Sequence, residues 1–474
     1  MQQEELQKAY DAGNYSRLNA GWHASNNSAE FTDRNERDTV RARARDLERN
    51  SDMANSVILA FRRNVVGSGF ALQARTGNAE IDDRLEEIFE KWSEARNCDV
   101  TGEQCFNEML RMAVVRKKVD GGILFKKCYS RKGYVPFQLQ LFEVDELSNM
   151  YMLTKHDASK GYKTAGGIEY DKNNRAVGYW IQKYSIDGME LSMPEYVDAK
   201  DMIFYYAKRR PSQVREFSDL APTISRIRDA NEFITAVSIK ERIAACLAVF
   251  IKKVIPTAGL GRSGITASGE RESYAGKTLS PGMIQEMNAG DEIQVVDPKN
   301  AASDSSEFLK TQQRLIGAGQ GLSYEATSRD MSKTNYSSAR QGSIEDDLTY
   351  DDEKNLLITK VMDEVYETMV ISAVLAGVIN IPDFWENKDR YLKHVWVANP
   401  KRWIDPQKES NANKIALMTG QKTFQQIAAE QGRDWKEQID DMAAAVEYAK
   451  EKGINLGGVL YGQYQDGYGE YFDE

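Results

Sequence analysis

Gly259, Gly261 and Gly264, in the run GLGRSG, stand at the spacing of a GxGxxG turn, whose backbone would cradle a dinucleotide pyrophosphate at a helix N-terminus. The surroundings do not support that chemistry. The residues that follow, ITASGERESYAGKT, carry no apolar helical face, so the strand–turn–helix context is missing. GKT at 276–278 would need glycine at position 271 to make a phosphate-binding loop, and that residue is Arg271. No HExxH, GxSxG or EF-hand pattern occurs. His23, His156 and His394 are each isolated, which supplies little for general-base catalysis or metal binding. Cys98, Cys105, Cys128 and Cys246 form no CxxC and read as buried or idle thiols. Paired carboxylates abound, but they lie in charged helical stretches where a solvated face is their usual use. No catalytic residue, no metal ligand and no cofactor is expected.

The remaining candidate is SRDMSKTNYSSARQG, 328–342. Apart from Met331 and Tyr336 it offers a core nothing, yet it stands between two strongly helical segments. Arg329, Lys333, Thr334, Asn335, Tyr336 and Ser337 are polar or hydrogen-bonding groups, which makes the stretch a hydrogen-bonding loop interrupting two helices. The structural reading of the same residues is simpler. Asn335, Ser337 and Ser338 can cap a helix starting near Ser338, Tyr336 can pack against the body, and Arg340 can pair with an acid of its own helix.

Those residues have to be positioned by the elements around them. At 474 residues the chain predicts two or three folding units, and no run of about 18 apolar residues predicts a membrane span. The N-terminus lacks a basic-then-apolar secretory pattern, so a cytoplasmic compartment is expected. Residues 34–64, 80–97 and about 102–118 read as helices; in the second, Ile81, Leu85, Ile88, Phe89 and Trp92 recur at helical spacing. GGILFKKCYS, VPFQLQLFEV, AVGYWIQKYSI and KDMIFYYAK read as strands of an antiparallel sheet between about 120 and 208. A long helix over about 222–253, with Pro222 in its first turn, would run roughly 45 Å. Loops with short strand candidates, GMIQEM and DEIQVVD, fill 256–300; a helix covers about 304–320; and 338–379 is the longest helix, acidic in its first half. TFQQ at 423–426 and DWKE at 434–437 fit the capping-box pattern, and the tail LGGVLYGQYQDGYGEYFDE has no periodicity. The net charge of −10 opposes tight nucleic-acid binding. Helices too long for their domain, however, lie naturally against copies of themselves. A dozen packed about 8–10 Å apart enclose a circle roughly 35 Å across, and subtracting one helix thickness of about 10 Å leaves a lumen wide enough for duplex DNA. An acidic lining would let a duplex slide, touched only by projecting polar loops.

The residues also resemble a known family. RARARDLERNSDMANSVILAFRRNVVGSGFALQ (41–73), LFEVDEL (141–147), RRPSQVREFSDLAP (209–222), GLSYEATSRDMSKTNYSSAR (321–340) and DPQKES (405–410) with the following TGQKTFQQIAAEQGRD are similar to the lambda-type portal proteins of tailed bacteriophages. One departure is that Ser212 and Glu216 stand where the family commonly has glycine. The resemblance implies an α+β portal fold: an α/β wing (1–215), a stem helix (216–254), a small α/β clip (255–302), a second stem helix (303–321), a tunnel loop (322–338), a long wing helix and return (339–400), and a helical crown with a flexible acidic tail (401–474). It further implies a structural, non-enzymatic homo-oligomeric ring, usually of about twelve subunits, at one capsid vertex. Double-stranded DNA would pass through that ring in packaging and ejection. The implied partners are the terminase large subunit, the major capsid protein and scaffold, and a head-completion or adaptor protein, with no membrane. The implied location is the virion, after assembly in the host cytoplasm. Readings of other kinds are a tail or baseplate subunit, or a nucleotide-binding enzyme built on GLGRSG.

Overall fold

The computed structural model describes residues 17, 21, 24–130, 133–149, 153–246, 250–251, 285–286, 302–332, 335–398 and 406–454. GLGRSG, GKT, DEIQVVD, the 455–474 tail and nearly all of the expected clip lie outside those residues.

Chain order begins with α1 (Ala29–Asp33), α2 (Arg37–Asn50) and α3 (Asp52–Phe61). The predicted single helix over 34–64 is broken at Ser51, which turns extended and caps α3 by accepting from the Ala54 amide. Arg62–Val66 then forms a π-helical turn. Strand β1 (Ala71–Ala74) precedes α4 (Ala79–Ser93), α5 (Ala95–Cys98) and α6 (Phe106–Asp120). The predicted apolar stripe of α4 is real: Leu85, Ile88, Phe89 and Trp92 are buried, Ile81 packs against them, and the Trp92 indole donates to the Phe137 carbonyl at 2.7 Å.

All four predicted strand segments form strands, but in two antiparallel sheets rather than one. The first, in the order β3-β2-β8, contains β2 (Gly122–Cys128), β3 (Gln138–Phe142) and β8 (Met202–Tyr206). The second, in the order β4-β5-β6-β7, contains β4 (Lys163–Ala165), β5 (Ile168–Tyr170), β6 (Ala176–Ile181) and β7 (Glu195–Asp198). Alternation along the first sheet explains the layering. Ile123, Phe125, Ile203 and Tyr205 enter the large helical core, while Leu124, Met202 and Phe204 enter a smaller core shared with Ile168, Tyr179, Ile181 and Val197 of the second sheet.

Helix α7 (Ile224–Cys246) is shorter than predicted, about 35 Å. Phe250–Ile251, expected inside it, is instead strand β9, paired parallel to β10 (Gln285–Glu286) within GMIQEM. Pro222 sits before the helix and not in its first turn. Helices α8 (Ala302–Gly319), α9 (Tyr324–Ser328) and α10 (Tyr336–Leu357) follow. The predicted long helix over 338–379 starts earlier, at Tyr336, passes through a π turn at Ile358–Met362 and ends with α11 (Asp363–Leu375). Short α12 (Lys388–Tyr391) leads to β11 (His394–Val397), which pairs antiparallel with β1 and closes the chain back on its start. The last elements are α13 (Pro406–Met418), α14 (Phe424–Glu430) and α15 (Trp435–Glu451). TFQQ makes the predicted capping box between Thr423 and Gln426. DWKE does not: Asp434 caps α15 alone, accepting from the Lys436 amide.

Candidate functional site

The expected tunnel loop is more ordered than a polar loop. Buried Gln320 ends α8 by donating to the Asp219 carbonyl (3.0 Å) and Thr223 Oγ1 (3.2 Å). Gly321 turns the chain at φ +70°, a left-handed value that favours glycine, and the Thr349 hydroxyl donates to its carbonyl at 2.7 Å. Ser323 then caps α9, while Asp346 of α10 accepts from both the Ser323 amide (2.6 Å) and hydroxyl (2.7 Å). The Ser56 hydroxyl of α3 donates to the Thr327 carbonyl. Five residues of the stretch predicted as loop are therefore helix, held between α3, α8 and α10.

Arg329 ends α9. It adopts the left-handed conformation at φ +58°, its amide donates to the Glu325 carbonyl at 2.9 Å, and its side chain is exposed. The next turn is organised by Asp330, which accepts from the Ser332 amide (3.0 Å) and the Tyr324 hydroxyl (3.3 Å). The Ser332 hydroxyl and amide, with smaller help from Tyr324 and Lys310, hold the Asp330 carboxyl below the usual range, so it stays ionised. Asn335 and Ser338 cap α10 reciprocally: Asn335 Oδ1 accepts from the Ser338 amide (2.8 Å) and Ser338 Oγ accepts from the Asn335 amide (3.2 Å). For these two the structural reading holds, with the helix starting at Tyr336. Ser337 is exposed in its first turn. Lys333, Thr334 and the Tyr336 side chain lie outside the described residues.

One neighbour was missed in the sequence. Arg63, exposed in the π turn after α3, has its ionisation lowered by burial and then by the charge of Arg329. Among the described residues neither guanidinium has a salt bridge; Arg63 Nε reaches only the Leu59 carbonyl of its own helix, at 3.1 Å. Arg314 of α8 lies over the Tyr324 ring, 5.5 Å from its centroid. Two mutually repelling guanidiniums at a surface are relieved by an anion, and phosphate oxygens match the guanidinium fork. Only the fold places Arg63, 266 positions away in the chain, beside Arg329; its own context, AFRRNVV, gives no local signal.

The acids of α10 also divide in a way the sequence did not reveal. Glu345 and Asp352 are exposed, whereas Asp346 and Glu353 are buried. Glu353 takes Lys117 Nζ at 2.6 Å and the Tyr205 hydroxyl, and Lys117 also reaches Asp219 at 2.9 Å. Against the burial that would raise it, Lys117, Lys118 and Arg209 hold the Asp219 carboxyl below its ordinary value. The other titratable candidates are structural. His156 lies 3.2 Å from Glu169 and stacks on Tyr162, and His394 lies 3.2 Å from Asp363. Burial pushes the Cys98 thiol up to about 12, so it is inert. Among the described residues no group of three metal-binding side chains occurs, and no helix is long and apolar enough to cross a membrane.

Residues 15–354 match the family model described as phage portal protein, lambda family. The chain belongs to the lambda family of phage portal proteins. Its relatives include the probable portal protein of Halomonas phage phiHAP-1, 24% identical over 473 residues, covering 95% of this chain and 88% of that one. Portal protein B of Escherichia phage lambda is 21% identical over 437 residues, covering 84% of this chain and 81% of that one. Among solved structures, a chain from the neck of a native gene transfer agent (GTA) particle computed with C12 symmetry aligns at 12% identity and a TM-score of 0.38, over 82% of this chain and 93% of that one. This portal chain is thus a structural, non-enzymatic head–tail connector and a virion component of the capsid vertex.

Proposed function

We propose that the portal chain assembles as a ring of about twelve copies and that double-stranded DNA passes through its centre during packaging and ejection. The observation that carries this reading is the pair α7 and α8. Ile224, Ile227 and Ala230 are buried in the body, but further along α7 Ile234 and Ile239 are exposed, as are Phe308 and Leu315 of α8. Phe233 and Phe308 join the two helices with ring centroids 4.7 Å apart. A two-helix projection with apolar residues left outside is what a stem packed against neighbouring copies requires. In this reading residues 1–215 and 339–400 make the wing, 255–302 the clip that docks the terminase large subunit and later the adaptor, and 401–474 the crown. Major capsid protein and scaffold surround the ring during assembly in the host cytoplasm.

Residues 322–338 face the channel. Arg329 and Arg63, with Lys333, meet passing phosphates, while Thr334, Asn335, Tyr336 and Ser337 border the same path. A handful of cations on an otherwise acidic chain favours transient contact over tight binding. The test is a particle assembled with Arg63→Ala and Arg329→Ala together. Rings are expected to form as before, with the DNA packaged per particle reduced severalfold. Normal packaging by the double variant would remove these arginines from the DNA path.

A further inference from the structure

Among the described residues, strand β1 has a strand neighbour on one side only, β11. Alternate amides of a strand point to opposite edges. The Arg75 amide donates to the Lys393 carbonyl at 2.8 Å, so residues 71, 73 and 75 turn their amides toward β11 and the even-numbered ones turn theirs away. On that outer edge the Phe70 amide donates to Asn107 Oδ1 at 3.2 Å and the Ala74 amide to Glu86 Oε1 at 2.8 Å. Leu72 lies between them. Its amide and carbonyl have no partner among the described residues, although the residue is only 7% exposed. A backbone pair held away from bulk water and left unbonded is a ready place for an incoming strand.

A cleft of about 1100 Å³ runs along this edge. Residues 70–75 form one wall, α4 a second and the start of α15 a third. Gln73 fixes that last wall, since its Nε2 donates to Asp434 at 2.8 Å. The walls are acidic. Asp83 and Glu90 of α4 and Glu437 and Asp440 of α15 line the cleft, are exposed, and have no ion pair among the described residues. The cations among its lining residues are Arg75 and Lys436. Glu87 lines it too but is already paired, with Arg84 and Lys91. Burial, and after it the charges of Asp434, Asp83 and Asp82, push the Glu86 carboxyl up against the hydrogen bond from Ala74, so the cleft is short of positive charge.

We propose that β1 takes an extended, lysine- and arginine-rich segment of a partner protein as a third strand, laid along its free edge in the cleft between α4 and α15. Four to six residues of such a segment reach about 13–20 Å, the length of β1 and its flanks. The Leu72 amide and carbonyl supply main-chain pairing, which holds the segment in place without reading its sequence. Leu72 and Ala74 turn into the core that α4 closes, and Gln73 turns to α15. Successive side chains of a strand point to opposite faces, so the added segment presents one set to the acids of α4 and the other to those of α15. Basic residues are favoured on both faces, and the same carboxylates repel the phosphates of a nucleic acid. The proposal depends neither on the ring nor on the 322–338 segment.

The test uses the full-length chain and a fluorescent peptide of alternating lysine and valine, followed by anisotropy. Two controls accompany it: the same peptide with glutamate in place of lysine, and the lysine peptide N-methylated at every peptide bond, which keeps the charge and removes every strand donor. The lysine peptide is expected to bind at least about tenfold tighter than either control. It should also slow hydrogen exchange of the Leu72 amide, read by mass spectrometry. Glu90→Lys together with Asp440→Lys, both at exposed positions, is expected to weaken binding roughly 5–10-fold. Equal binding of the N-methylated peptide would leave only charge attraction and overturn the added strand, and no binding of the lysine peptide would overturn it outright. If the Leu72 amide is already protected without peptide, in the dilute chain or in assembled rings, the edge belongs to another segment of this chain or to a second copy, and the proposal falls.

Discussion

Glu216, expected from the sequence to depart from the family pattern, sits in a buried network of arginines. Its carboxylate is fully buried and accepts from Arg41 Nη1 (3.1 Å) and from Arg215 Nε and Nη2 (both 3.0 Å), while its carbonyl accepts from Arg37 Nε (3.0 Å). The arginines of RDTVRARAR that recur every fourth residue are spent the same way, Arg37 on Glu30, Arg41 on Glu216 and Asp145, and Arg45 on Asp120 and Asp145. Three of the four arginines of a motif that reads as basic are therefore neutralised within the fold, and Arg43 is left exposed. Replacing Glu216 by glycine (Glu216→Gly) leaves Arg41 and Arg215 short of a buried partner and is expected to cost about 3 kcal/mol in denaturant unfolding. A loss below about 0.5 kcal/mol would mean that the remaining partners suffice. Glu353, which neutralises Lys117, belongs to the same class, and Glu353→Ala is expected to cost about 3–5 kcal/mol.

Elements with a strong period were legible in the chain, and those built by distant partners were not. The stripe of α4, the four long strand segments and the TFQQ cap follow from local pattern alone. The pairing of β1 with β11 joins Ala71–Ala74 to His394–Val397, two four-residue strands whose stability is mutual and whose sequences announce nothing separately. Helix α9 escaped notice because it is five residues long and is secured by Asp346 and Ser56 from other elements. In the 322–338 segment, the Asn335 cap was readable from residue type, but the neighbour Arg63 was not, since it arrives through the fold. The seat of α15 is also a long-range product: Asp434 accepts from the side-chain Nε2 of Gln73 at 2.8 Å, at the edge of a cleft of about 1100 Å³ that also holds Glu86. Burial, reinforced by Asp434, Asp83 and Asp82, pushes the Glu86 carboxyl up to about 7 from 4.5, against the opposing hydrogen bond from the Ala74 amide. The folded chain thus holds a proton between pH 4.5 and about 7 that the unfolded chain has released, so stability falls as pH rises across that window. Glu86→Gln keeps an acceptor for Ala74 and removes the charge. It is expected to stabilise the protein at pH 8 by on the order of 1 kcal/mol, allowing for solvent screening, with the gain nearly gone by pH 5 in thermal unfolding. An equal effect at both pH values would assign the change to packing.

At the scale of the whole molecule, the proposed passage of a polyanion through a chain with a net charge of −10 fits a fold that pairs several of its cations internally, Arg41, Lys117 and Arg215 among them. In the proposed reading, phosphate meets Arg329 and Arg63, and other copies meet the exposed apolar residues along α7 and α8. This division of surfaces makes sense only in a closed assembly, where the exposed apolar residues are covered and the 322–338 segments converge on one axis. Electron microscopy of the purified chain, with its mass in solution taken in parallel and the capsid protein and scaffold added where assembly needs them, tests this most directly. The account predicts rings with an open centre, a mass near twelve protomers and density for residues 322–338 on the inner wall. A protein that stays monomeric or dimeric with those partners present, or a ring whose 322–338 segments face outward, would contradict it.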